Sequence, residues 1–369
     1  MIVKDMPVQN TLDTLAAGES IIYIATRLFD YSEKIKAEDI EQAVKKGIHR
    51  AMRKVGIAPK KDFSPTFVPF RDTTQKGGGR VSAQQDGGDQ LNRRIYLEDT
   101  ARLNRSFALI GFFDGLSKDE GVCMEIGYAY GIGRPIILVM SDFVRADFKG
   151  VPDSEHLVDP VIGAIASKII YQYSISETEA SFRDQLQASL EMLYSKVEEE
   201  TYLLSLKDAK KAEEHRQEIP ITLDLKYDVC IDFGGGLFEW QRILQERLAE
   251  NLIHNGSSVT ICDRYSYYAN HVNDVAITDL GWRDIKKVQS SKIVVTCSDS
   301  TEMDSGTAAL QGFSRAVGKK VLLYNSKTTN MVGDTKYRSS RNLMIDYSAH
   351  KIASKFDDLP ISVEGLLKD

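Results

Sequence analysis

Residues 107–140 read FALIGFFDGLSKDEGVCMEIGYAYGIGRPIILVM. Phe107–Phe113 and Arg134–Met140 are strand-sized apolar runs, the pattern of strands buried on both faces. Between them Val122–Ile132 reads as a short helix closed by Gly133. Strand, helix and strand in that order call for a parallel sheet of the doubly wound kind. Outward from this block, Glu19–Ala25 (ESIIYIA) reads as a first strand and Ala37–Val55 as an amphipathic helix ending near Gly56. Phe67–Phe70 is a Pro-containing edge strand and Asn92–Ser106 a helix. Thr73–Asp89 contains Lys76-Gly-Gly-Gly-Arg80 and Gly87-Gly88 and has the composition of a mobile loop. It lacks the G-K-[ST] ending of a phosphate-binding P-loop, so a lid is the expected role.

The pattern restarts at Lys226. Strands are expected at Tyr227–Phe233, Ser258–Cys262, Lys292–Cys297 and Lys320–Tyr324. Helices are expected at Phe238–Asn255, Trp282–Gln289 and Gly306–Val317. Between the two halves, Glu177–Gln217 is polar and helical in character, and Lys207–Gln217 is almost all charge. The expected organisation is therefore a first domain over 1–175, a helical spacer over 176–220 ending at Pro220, and a second domain over 221–369.

The halves are alike in detail. At a shift of 185, Asp99 meets Asp284, Asp114 meets Asp299 and Asp119 meets Asp304. Gly121, Gly127 and Gly133 meet Gly306, Gly312 and Gly318 in the same ungapped register. Such coincidence marks a tandem duplication. The copies differ where chemistry is concerned: Glu125 meets Leu310, and Tyr23 meets Cys230 across a gap.

Composition narrows the function classes. The chain has 369 residues, 42% of them hydrophobic and 27% charged, with a net charge of −6. This is no polybasic nucleic-acid or membrane binder. No apolar run is long enough to span a bilayer, and Met1–Asn10 lacks a signal pattern, so a cytoplasmic protein is expected. Cys123, Cys230, Cys262 and Cys297 are scattered and read as buried thiols, and the six histidines show no metal-ligand spacing.

Glu125 sits near the start of a helix that follows a strand and a loop, at the ligand-binding edge of an open parallel sheet. A helix N-terminus favours its ionised form, and an ionised carboxylate in a cleft can attack an anomeric carbon. Tyr23, on a neighbouring strand, is placed to hydrogen-bond and orient it. Asp119 lies in the loop feeding the same helix. Asp99 lies on the preceding helix, at a position relative to the cleft that spacing does not fix. Several acids in one cleft push one carboxyl pKa upward and create a candidate proton donor.

The segments Tyr96–Arg105 and Asp119–Ile136, the latter carrying G-V-C-M-E-I-G-Y-A, resemble the nucleoside 2-deoxyribosyltransferase family, as does Ile22-Tyr-Ile-Ala25 with Leu28-Phe29. The resemblance covers roughly 20–173 and, more weakly, 227–346. It implies two tandem flavodoxin-like α/β domains, the second degenerate. It further implies that Glu125 is the nucleophile forming a deoxyribosyl ester, that Tyr23 orients it, that Asp99 serves the departing base and that Asp119 binds sugar hydroxyls. The family completes its site with an Asn from a neighbouring subunit, within an N-L-M segment. Here that segment is Arg341-Asn-Leu-Met-Ile345, so the second copy is expected to act as a built-in partner through Asn342 and Met344. No such segment is legible in the first copy after Met140. Arg71 and Gln75 lie near where the family contacts the base. Arg27 stands where the family often has a small residue, and suits a 5′-phosphate.

The resulting expectation is base exchange on 2′-deoxynucleosides, with nucleosides or nucleotides and free nucleobases as partners, no metal or organic cofactor, and a homo-oligomer as the assembly. The alternatives are an N-glycosidase acting on nucleoside 5′-monophosphates through the same Glu125, and a nucleotide-sensing or scaffold protein on a retired enzyme fold.

Overall fold

The computed structural model describes residues 17–18, 21–26, 31–58, 64–72, 88–114, 119–141, 158–172, 182–206, 224–270, 275–299, 303–326 and 342–368. The first unit runs β1 (Ile21–Ala25), α1 (Tyr31–Val55), β2 (Thr66–Phe67), α2 (Pro69–Asp72), α3 (Gly88–Arg105), β3 (Ser106–Phe112), α4 (Glu120–Gly131), β4 (Ile136–Met140), α5 (Pro160–Ile165), β5 (Lys168–Tyr171) and α6 (Phe182–Leu206). The second runs β6 (Tyr227–Asp232), α7 (Glu239–His254), β7 (Val259–Ile261), α8 (Arg264–Asn270), α9 (Ile277–Gln289), β8 (Ser291–Cys297), α10 (Ser305–Ala316), β9 (Lys320–Tyr324), α11 (Leu343–Ser348), β10 (Lys351–Ala353) and α12 (Leu359–Lys368).

Each unit holds a five-stranded parallel sheet, in the orders β2-β1-β3-β4-β5 and β7-β6-β8-β9-β10. Counted within each unit, both are the 2-1-3-4-5 order of flavodoxin-like folds. The duplication holds at the level of register. Tyr23 lies opposite Leu109 and Cys230 opposite Val294, at the same 185-residue shift, which fixes Tyr23 and Cys230 as equivalent. Asp114 takes the Ser141 amide at 2.6 Å, and Asp299 takes the Ser326 amide at 2.5 Å. The same clasp therefore ties the carboxyl ends of neighbouring strands in both copies.

Alternation along β1 divides the core. Ile22 and Ile24 face a layer containing Ile40, Val44 and Ile48 of α1 and Leu193 and Val197 of α6. Ile21, Tyr23 and Ala25 face the opposite layer, which is common to both units: Val122, Met124 and Ile126 of α4 pack there with Ala309, Leu310 and Phe313 of α10. The closest approach is between α4 and α10. A Cβ on Gly127 would overlap the Ala309 carbonyl oxygen, and one on Gly312 would overlap that of Met124. The glycines repeated at 185 thus let two helix backbones touch across the pseudo-two-fold.

Several expectations are corrected. Helix α6 covers much of the stretch read as a spacer, yet its Leu193, Val197 and Leu204 are buried in the first unit's core. Its polarity belongs to the outer face of a docked amphipathic helix. Phe67–Phe70 shortens to a two-residue strand, with Pro69 opening α2. Helix α3 begins at Gly88, inside the expected loop, and 73–87 lies outside the described residues. Helix α9 begins at Ile277 rather than Trp282. Each unit adds a fifth strand, β5 and β10, to the four that the sequence predicts. No described helix is long and apolar enough to cross a membrane, and all four cysteines are free and buried.

Candidate active site

Helix α4 is capped by Asp119, whose side chain takes the Val122 amide at 3.0 Å. Glu125 is the sixth residue of α4 and is 5% exposed. The Tyr23 hydroxyl, itself fully buried, donates to Glu125 Oε1 at 2.7 Å. Asp99 on α3 is also buried, and its charge acts on both Glu125 and Tyr23. This settles the position that helical spacing left open: three elements, β1, α3 and α4, converge on one carboxylate.

The electrostatics correct one expectation. Burial, followed by the nearby charges of Asp99 and Asp119, pushes the Glu125 carboxyl well above the usual carboxylate range, against the lowering effect of the Tyr23 hydrogen bond. Glu125 also lies beyond the first turn, where the helix dipole fades. The surroundings of Glu125 therefore oppose its ionisation rather than favour it. Burial and the charges of Glu125 and Asp99 raise the Tyr23 phenol well above its ordinary value, so it stays a hydrogen-bond donor.

The second unit closes the cleft. Asn342 caps α11, its Oδ1 taking the Met344 amide at 2.9 Å, while its Nδ2 donates to Asp119 Oδ1 at 3.4 Å. A Cβ on Gly121 would come within 2.7 Å of that amide nitrogen, so the glycine leaves room for it. Met344 is buried in the shared core. Arg71 is placed elsewhere: its guanidinium forks onto Glu41 at 2.5 and 3.0 Å and also binds Asp72. Glu41, which burial alone would raise, is held down at about 2 by hydrogen bonds from Arg71, Lys45 and Thr66. Arg71 thus serves an ion-pair network rather than the Glu125 cluster. Arg27 and Gln75 lie outside the described residues.

The cleft of the second unit is differently furnished. Leu310 and Cys230 replace the Glu and Tyr, and Arg264 fills the space, fully buried. Its Nη1 donates to Asp232 at 3.3 Å and to Asp284 at 3.1 Å. Its Nη2 donates to Asp304 and, at 3.2 Å, to Thr307. Its Nε donates to Asp159 of the first unit at 3.4 Å, and the Tyr265 hydroxyl donates to the same carboxylate at 2.5 Å. Asp159 caps α5 just as Asn342 caps α11. It is therefore the first-copy counterpart of Asn342, with Asp-Pro-Val in place of the N-L-M signature. Each unit sends one capping side chain into the other's cleft.

Burial, opposed by Arg264, pushes Asp159 and Asp284 up to about 6. Folded values above the unfolded one mean stability that is full at low pH and lost as pH rises through 6. Each group then withdraws on the order of 3 kcal/mol. Melting is expected to be higher at pH 5 than at pH 8, and Asp284→Asn to flatten that slope in scanning calorimetry. An unchanged slope would remove Asp284 from the account.

Fold and clefts together define a paired flavodoxin-like α/β protein with one carboxylate–tyrosine site and one arginine-filled site. The chain belongs to the nucleoside 2-deoxyribosyltransferase family, whose model matches residues 22–199 and again 233–355. Two matches in one chain agree with the duplication, and the first ends inside α6, the helix docked on the first sheet. No curated protein matches the chain.

Proposed function

We propose that the chain is a base-exchanging N-glycosyl transferase, in which Glu125 attacks C1′ of a 2′-deoxynucleoside and displaces the base. The observation that carries this reading is the buried Tyr23–Glu125 hydrogen bond beside Asp99, in a cleft whose rim includes Asn342. As the glycosidic C–N bond breaks, its electron pair leaves with the base, and a proton supplied through Asp99 neutralises it. The carboxylate oxygen of Glu125 forms the new bond to C1′. A second base attacks the ester in the reverse sense, regenerating Glu125. Asp119, held by Asn342, faces the sugar hydroxyls. The upward-shifted Glu125 gives a proton to solvent or to Asp99 before attack, and Tyr23 steadies the resulting charge.

Chromatography of deoxyinosine or thymidine incubated with and without adenine tests this. Transfer gives a new deoxynucleoside only when adenine is present. Free base released equally in both reactions would replace transfer with hydrolysis, and no turnover of nucleosides or monophosphates would leave a ligand-binding role.

Tyr23→Phe is expected to lower kcat roughly 10- to 100-fold, the value of a hydrogen bond to a charged group. It should also move the acidic limb of the pH profile upward, because the bond that lowers the Glu125 pKa is gone. An unshifted limb would mean that the phenol does not act on the carboxyl.

A further inference from the structure

We propose that the second unit's cleft is a binding pocket occupied by the chain itself, with the Arg264 guanidinium as its ligand, so that the pocket's ligand class is a planar guanidinium-type cation and one cleft, at Glu125, is left for substrate. The last clause rests on the reading of Glu125 given above, whereas the pocket and its ligand class do not.

The pocket is built as a ligand site. Arg264 meets the two aspartates that correspond to Asp99 and Asp119, namely Asp284 and Asp304, on two different nitrogens. The side chain reaching in from the other unit, Asp159 in place of Asn342, takes its Nε. The floor is backbone. Gly235 adopts φ 60°, and a Cβ there would lie 2.6 Å from the guanidinium carbon. Its amide is held by Asp232 at 2.8 Å. A Cβ on Gly306 would lie 2.8 Å from Nη2. Walls without side chains and carboxylates around the plane suit a flat, many-donor cation, and arginine keeps its charge at any ordinary pH.

Register explains how the arginine came to be there. Tyr23 pairs with Phe67 and Cys230 with Thr260, so Arg264 stands as far beyond its paired strand residue as Arg71 does beyond its own. The same position thus holds arginine in both units, turned in opposite directions. In the first unit Glu41 draws Arg71 outward. Counting back from the helix-closing glycines Gly56 and Gly256, the Glu41 position in the second unit is Gln241, which has no charge to offer. Cys230 also leaves the inner space that the Tyr23 ring fills in the first unit, and Leu310 brings no carboxylate of its own. With an uncharged glutamine at the Glu41 position and four carboxylates inside, the guanidinium turns in.

The test is chemical replacement of the occupant. Arg264→Ala should lower Tm by roughly 10 °C, since it strands several buried carboxylates. Methylguanidinium at about 10 mM should restore at least half of that loss, because it binds the folded state alone. Tetramethylammonium, a cation without N–H donors, should restore none, and neither compound should move wild-type Tm. Should the variant not accumulate folded, refolding from denaturant with each cation reads the same site: folded yield with methylguanidinium supports the pocket. A Tm within 2 °C of wild type, or equal behaviour with both cations, would overturn it. These readouts involve no turnover, so they stand or fall separately from the function of Glu125.

Discussion

Glu125→Ala is expected to abolish the proposed base exchange, lowering kcat by at least about 1000-fold, the scale on which removal of an activated nucleophile acts. Glu125→Gln does the same while keeping the shape of the side chain. The two variants diverge from the wild type in stability as well. A buried carboxyl held above its ordinary range by desolvation, Asp99 and Asp119 contributes stability that is full at low pH and lost as pH rises through its folded value. At pH 8, well above the ordinary carboxylate range, burying this group costs stability, and the glutamine variant should melt a few degrees above wild type. At pH 4 the two should coincide. Turnover by the alanine variant would remove Glu125 from the chemistry, and an equal melting gap at both pH values would show that its charge is not what burial opposes.

Gly127→Leu should have the largest effect on the architecture. The new side chain is directed at the Ala309 carbonyl, a backbone group that cannot rotate away. Accommodation requires α4 and α10 to separate, uncovering Leu310, Phe313 and Met124 in the shared core. Each such side chain contributes roughly 1.5–3 kcal/mol by its burial. Overpacking adds typically 1–3 kcal/mol, so Tm should fall by about 10 °C or more. Because α4 carries Glu125 and the second unit carries Asn342, activity should fall with it. Gly312→Leu should behave alike, because its Cβ meets the Met124 carbonyl. Normal melting of both variants, by calorimetry, would mean that the helices do not cross this closely.

Much of this was legible in the chain. Apolar runs such as Phe107–Phe113 fixed the parallel sheets, because a strand buried on both faces has no polar residues to blur it. The 185-residue register disclosed the duplication, and the Met-Glu-Ile-Gly-Tyr-Ala segment singled out Glu125. Three things were not legible. Lys168–Tyr171 and Lys351–Ala353 are short edge strands with half-exposed patterns, so hydropathy does not mark them. Asp159 was hidden because capping tolerates either Asn or Asp, and the exchange erased the motif while keeping the geometry. Arg264 was missed because an arginine in a polar stretch reads as surface. Only the convergence of four distant aspartates reveals it as interior. Arg71, expected near the base, has a partner that spacing does not disclose: its guanidinium forks onto Glu41.

The exchange of capping side chains between the units carries an evolutionary corollary. In an assembly of identical subunits every substitution strikes both clefts at once, so no site can be given up without losing its twin. Joining the halves in one reading frame lifts that constraint. Asn342 and Asp159 are free to drift apart, one meeting Asp119 and the other holding an arginine. A duplicated chain can therefore hold two unlike clefts, which a symmetric pair of identical chains cannot.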